Sequence, residues 1–127
     1  MTKVLLVEDH EELWEFLSRR LRRRGFEVVL AHDGQQALDQ AAAEEPDLVL
    51  LDMNLPVMDG WAVAGRLRAD PATSGIPIIA VTAHAMSGDR AKAMAAGCDE
   101  YHPKPVDFSL LLTQIDAALL RREQAEP

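Results

Sequence analysis

The sequence predicts an α/β fold, a doubly wound parallel sheet of five strands with five helices. Three observations lead there. Short apolar runs alternate five times with segments of helical length. The runs are continuous rather than alternating in polarity, as strands buried on both faces are. Strict βα alternation calls for right-handed crossovers, which cover both sheet faces with helices. Every strand then ends on the same edge of the sheet, where ligands of such folds bind.

The expected strands are Val4–Val7, Phe26–Leu30, Leu48–Leu51 and Ile76–Val81, with a weaker one near Glu100–His102. Residues 11–24 place Leu13, Phe16, Leu17 and Leu21 on one helical face. Residues 34–44 do the same with Ala37, Leu38 and Ala41, and Gly60–Ala69 with Val63, Ala64 and Leu67. Residues 86–96 form an Ala- and Met-rich helix. Leu110, Leu111, Ile115, Ala118 and Leu119 form the last stripe. Gly25, Gly75 and Gly97 fall where helices are expected to stop.

The 127 residues suit a single domain, 1–127, with a core of about 3–121. At 48% hydrophobic the chain has material for a core. Its net charge of −8 argues against nucleic acid or an anionic membrane as a partner. The arginines at 19, 20, 22, 23 and 24 read as a solvated helix end, where the helix dipole favours cations. The lone Cys98 excludes an internal disulfide and reads as a small buried residue. No signal-peptide pattern or membrane-length apolar stretch is present, so a cytoplasmic location is expected.

The polar residues that stand out fall at the expected ligand edge. Glu8 and Asp9 end the first strand, Asp52 the third and Thr82 the fourth, and Lys104 follows the fifth between two prolines. Alone, Asp9, Asp52 or Thr82 is readily a helix cap or turn residue, and Lys104 a solvated loop lysine. Their convergence on one crevice calls for a common cause. Three carboxylates crowded together are costly without a cation. Such clusters hold Mg²⁺, which keeps several of its waters. Mg²⁺ and Lys104 together neutralise the three acids, so a phosphoryl group can approach. Asp52 is then expected to be the nucleophile and to form an aspartyl phosphate. The metal and Lys104 stabilise the transferring oxygens, and the Thr82 hydroxyl can donate to one of them.

With those residues in view, the whole chain resembles the receiver domain of two-component signalling. The paired acids stand in Val7-Glu8-Asp9, and the acceptor motif in Leu51-Asp52-Met53-Asn54-Leu55-Pro56-Val57-Met58-Asp59-Gly60. The hydroxyl residue stands in Val81-Thr82-Ala83 and the Lys-Pro pair in Tyr101-His102-Pro103-Lys104-Pro105. The resemblance implies a flavodoxin-like strand order, 2-1-3-4-5. It implies Mg²⁺ bound by Asp9, Asp52 and the Asn54 backbone carbonyl, with Glu8 acting through water. It implies Tyr101 as an aromatic switch coupled to Thr82, and a cis Lys104–Pro105 bond. A histidine kinase or a histidine phosphotransfer protein is the implied phosphoryl donor.

Two rivals share parts of this pattern. Haloacid-dehalogenase-type phosphatases need Asp-x-Asp on the first strand, whereas this chain has Asp52-Met53-Asn54 on the third. A flavin module needs a hydroxyl- and glycine-rich phosphate loop after the first strand, where Glu8-Asp9-His10 repels phosphate. Trp14 reads as edge packing, and His10, His32, His84 and His102 suggest no metal site by their spacing. No output domain follows the last helix, which runs out in Arg121–Pro127. That leaves a single-domain regulator or a receiver segment of a hybrid histidine kinase, and Met1 lying just before the first strand makes the single-domain regulator the expectation. Its output is expected to be a contact with a downstream protein through helix four, strand five and helix five, or a phosphorylation-dependent homodimer.

Overall fold

The computed structural model describes residues 1–83 and 88–125. Its elements run β1 (Lys3–Val7), α1 (Glu11–Arg23), β2 (Glu27–Ala31), α2 (Gly34–Glu44), β3 (Leu48–Asp52), α3 (Gly60–Ala69), β4 (Ile78–Thr82), α4 (Asp89–Ala95), β5 (Glu100–Pro103) and α5 (Phe108–Ala125). The start of the helix expected over 86–96, together with His84 and the chain's last two residues, lies outside the described residues. The five strands form one parallel sheet in the order β2-β1-β3-β4-β5, the expected arrangement.

The pleat divides the core between the two sheet faces. Leu5, Val7, Val49 and Leu51 face a cluster closed by Ala37 and Ala41 of α2, Val63 and Leu67 of α3 and Ala93 of α4. Val4, Leu6, Leu48 and Leu50 face the other cluster, closed by Leu17 and Leu21 of α1 and by Leu111, Ile115 and Ala118 of α5. Every residue of β3 and β4 is buried, which explains their unbroken apolar sequence.

The stripe assignments need two corrections. Phe16 is 38% exposed and Leu110 44% exposed. The buried row of α1 contains Leu17, Ser18 and Leu21 with Trp14 at its margin, so Phe16 falls beyond it. The Arg20 guanidinium covers the Phe16 ring at 5.3 Å. In α5 the buried row is Phe108, Leu111, Ile115 and Ala118, and Leu110 points off it. Trp14 packs on the second cluster and tilts against His32 at 5.1 Å, the edge packing its position suggested. Cys98 is buried, and burial pushes its thiol up to about 11.

Gly25 and Gly97 follow their helices with φ of 91° and 113°, the left-handed region open to glycine. Gly75 does not end a helix. α3 stops at Ala69, with Asp70 extended before Pro71, as the residue preceding a proline prefers.

The loop after β3 is drawn tight against the sheet. The Met53 amide donates to Val81 O at 3.0 Å and the Gly60 amide to Met53 O at 3.1 Å. A Cβ on Gly60 would lie 2.5 Å from Met53 Cα and 2.7 Å from Asp52 O. Only glycine lets α3 begin this close to the end of β3.

Candidate functional site

The C-terminal strand edge carries the polar residues singled out from the sequence. Glu8 follows β1 directly, and its amide donates to Ala31 O of β2 at 3.0 Å. Asp52 and Thr82 are the last residues of β3 and β4. The Lys104 amide donates to Thr82 O at 2.7 Å, which ties the residue after β5 to the end of β4. The Lys104–Pro105 bond is cis. Glu8, Asp52 and Thr82 are each 2% exposed or less.

Lys104 Nζ lies 3.2 Å from Glu8 Oε1 and 3.6 Å from Asp52 Oδ1. The Asn54 amide donates to Asp52 Oδ1 at 3.0 Å, the turn contact expected of an aspartate there. Asp52 Oδ2 is different. Among the described residues it is the one buried side-chain polar atom with no hydrogen-bond partner. An orphan of this kind is costly and calls for an explanation.

The capping alternatives fail for two of the residues. The N-cap of α1 is His10, not Asp9, and that of α4 is Gly88, not Thr82. Asp9 therefore stands beside the buried acids without a capping role.

The electrostatics reflect this crowding. Burial, reinforced by the negative charge of Glu8, pushes the Asp52 carboxyl up to about 6, against the opposing Asn54 amide and Lys104. Burial acts on Glu8 in the same direction. There the His10 amide and Lys104 outweigh it and hold the carboxyl below its usual range.

Ligand atoms from Glu8, Asp9, His10 and Asp52 all lie within 4.8 Å of one another. The three carboxylates bring oxygen donors together at one point, a donor set that fits a small divalent cation. His10 stands among the acids because its Nδ1 shares a 3.2 Å hydrogen bond with Glu8 Oε2, a contact the spacing of the histidines did not reveal. The signal was its adjacency to Asp9, but spacing alone does not show that the ring turns toward the acids.

The other expected site residues sit nearby without joining the cluster. Asn54 is exposed two residues beyond Asp52. Tyr101 is half-buried on β5 and packs against the first core cluster. Burial and, second, the negative charge of Asp89 hold its hydroxyl above the usual phenol range. His102 is structural. It accepts from the Asp107 amide at 3.1 Å and shares a 2.8 Å hydrogen bond with Gln114, joining β5 to α5.

A parallel sheet in this order, with acids and a lysine converging at its C-terminal edge, defines a class of signalling module. The chain belongs to the response regulator receiver domain family, whose model matches residues 4–116. It is 39% identical over 124 residues to the response regulator MprA of Mycobacterium avium, covering 98% of this chain and 53% of that protein. It is 38% identical to the transcriptional regulatory protein PrrA of Mycobacterium tuberculosis, covering 94% and 51%. The chain thus spans about half the length of the curated relatives it matches. Among solved structures, it resembles the receiver domain of the sensor histidine kinase PA1611 of Pseudomonas aeruginosa, described with a magnesium ion in its active site cleft. The TM-score is 0.86 at 35% identity, covering 93% of this chain and 97% of that one. A CheY-like receiver domain protein of Methanospirillum hungatei superposes with a TM-score of 0.91 at 27% identity, covering 99% of each chain. Among the described residues no helix is long and apolar enough to cross a membrane.

Proposed function

We propose that this chain is a phosphoacceptor, taking a phosphoryl group onto Asp52 from a histidine kinase or histidine phosphotransfer protein. The observation that carries the reading is Asp52 Oδ2, buried and without a hydrogen-bond partner, beside Lys104 and two further acids. That oxygen attacks the phosphorus of a phosphohistidine. The O–P bond forms as the P–N bond breaks, and the departing imidazole keeps the electron pair and takes a proton from water. Lys104 neutralises charge on the transferring oxygens, and Thr82 donates its hydroxyl to one of them.

Asp9, Asp52 and the Asn54 carbonyl are assigned to Mg²⁺, with Glu8 acting through water. When bound, the ion neutralises the acids and the phosphoryl oxygens. The protein is a signalling domain rather than an enzyme acting on a separate substrate. It occupies 1–127 with a core of about 3–121, and is assigned to the cytoplasm. Thr82 and Tyr101 form the switch, and a downstream protein, or a second copy of the chain, reads the changed surface of α4, β5 and α5.

Wild type and Asp52→Asn are incubated with acetyl phosphate and Mg²⁺, and the bound phosphoryl group is detected by intact mass. Wild type gains one phosphoryl group and Asp52→Asn gains none. Equal labelling of the two proteins would show that Asp52 is not the acceptor.

A further inference from the structure

We propose that His102 is a positioning residue of the acceptor site, its buried ring bracing the loop that aims Lys104 at Asp52. The inference rests on the phosphoacceptor reading and adds to that site a residue that never touches the phosphoryl group. His102 is the one buried residue of β5, at 0% exposed. The pleat turns it away from Tyr101, which packs on the first core cluster, and toward α5. A buried imidazole is costly unless its nitrogens find partners, and here both do.

Those partners decide which nitrogen carries the proton. The Asp107 amide donates to Nε2 at 3.1 Å, so Nε2 is the bare nitrogen. Nδ1 then holds the hydrogen and donates to Gln114 Oε1 at 2.8 Å. Gln114 is set to receive it, because its own Nε2 donates to Tyr101 O at 3.0 Å and so turns its oxygen to the ring. A chain of three hydrogen bonds thus runs from the Tyr101 carbonyl, through Gln114 of α5 and the His102 ring, to the Asp107 amide.

That chain encloses the lysine. Residues 103–106 lie between His102 and Asp107, so the bond between those two closes a short loop with Lys104 inside it. On the near side of the loop the Lys104 amide is tied to Thr82 O at 2.7 Å. At its far end Asp107 leads into α5, its Oδ1 accepting from the Leu110 amide at 3.2 Å. With both ends held, the ammonium stands 3.2 Å from Glu8 Oε1 and 3.6 Å from Asp52 Oδ1. An apolar residue at 102 would fill the same space but offer the Asp107 amide no acceptor.

The full chain is compared as wild type, His102→Leu and His102→Gln, each also in a Lys104→Ala background, with circular dichroism checking the fold. Leucine keeps the buried bulk and removes the acceptor, whereas glutamine can place its Oε1 where Nε2 stood. His102→Leu is expected to slow labelling by acetyl phosphate and Mg²⁺ about tenfold or more, and His102→Gln to recover most of the rate. Where Lys104 is already alanine, His102→Leu is expected to slow the remaining labelling less than about twofold further. A residue that only stabilised the fold would slow both backgrounds alike. Amide hydrogen exchange reads the brace without phosphoryl chemistry, and the Lys104 amide is expected to exchange about tenfold faster in His102→Leu. Should His102→Leu not fold, Gln114→Leu, which removes the ring's orienting partner, is expected to show the same pattern. Labelling of His102→Leu at the wild-type rate, an equal loss in both backgrounds, or an unchanged Lys104 amide overturns the proposal. If wild type takes no label at all, the phosphoacceptor reading fails, and the Lys104 amide alone decides whether His102 holds the loop.

Discussion

Arg68, near the end of α3, ties together the opposite, N-terminal side of the sheet. Its Nε donates to Gly97 O at 2.7 Å, and one terminal nitrogen donates to Ile76 O at 2.7 Å and to Ser74 O at 2.8 Å. The other terminal nitrogen pairs with Asp99, whose carboxylate also accepts from the Ile78 amide at 2.8 Å. One side chain thus links α3 to the entries of β4 and β5. In Arg68→Ala the partly buried carbonyls of Gly97 and Ile76 lose charged donors, each worth about 1.5 kcal/mol at the low end. The Ser74 bond and the Asp99 pair are exposed enough to add little. The expected loss is about 3 kcal/mol. With an unfolding entropy of about 2.1 cal/mol/K per residue, it lowers Tm by about 11 °C. Urea denaturation and thermal melts followed by circular dichroism measure both quantities. Arg68→Lys recovers less than half of the loss, because a point charge cannot reach all four acceptors. Labelling by acetyl phosphate below both melting temperatures is unchanged, since Arg68 lies at the far end of the strands from Asp52. A Tm for Arg68→Ala within about 2 °C of wild type would refute this account of the clamp.

Four further outcomes follow from the site. In chelator, Asp52→Asn stabilises the protein at pH 8 by about 1–3 kcal/mol, because it removes a buried charge facing Glu8. The wild-type carboxyl ionises near the ordinary 3.8 when unfolded and is pushed up to about 6 when folded. Between those pH values the fold holds a proton that the unfolded chain has lost, so stability falls as pH rises through the window and the gain should vanish near pH 4; equal wild-type and mutant melts at pH 8 would contradict this. Chelation abolishes acetyl phosphate labelling, and Asp9→Ala mimics it more closely than Glu8→Ala; undiminished labelling in excess chelator removes the metal from the scheme. Gly60→Ala forces a Cβ against the Met53 and Asp52 backbone and costs about 1–3 kcal/mol, read as a lower urea midpoint together with reduced labelling. Thr82→Ala still accepts a phosphoryl group but uncouples it from Tyr101, so the Tyr101 ring resonances stop responding to beryllofluoride; a response as large as wild type's assigns the coupling to another residue.

The sequence by itself determined the architecture and the edge of the sheet that carries the acids. Four apolar runs and a weaker fifth between helical segments have few other solutions, because central strands buried on both faces must be covered by helices on both sides. Glu8, Asp52, Thr82 and Lys104 were legible because each abuts the end of a strand, and parallel strands end together. Element interiors were legible for the same reason, and the ends and faces less so. Helical periodicity marks an apolar face but not how far the sheet covers it, and so Phe16 and Leu110 were assigned to a stripe they leave. Gly75 looks like a helix stop only until Pro71 has already ended α3. Tertiary structure alone decided which oxygen of each acid faces what. Lys104 takes Glu8 Oε1 and Asp52 Oδ1, His10 turns onto Glu8 Oε2, and Asp52 Oδ2 is left without a partner. The Arg68 clamp depends equally on tertiary structure, because its acceptors lie 6 to 31 residues away along the chain. Periodicity and strand ends are properties of neighbours in sequence. The direction of a side chain, and the charge it meets, depend on segments brought together only when the sheet closes.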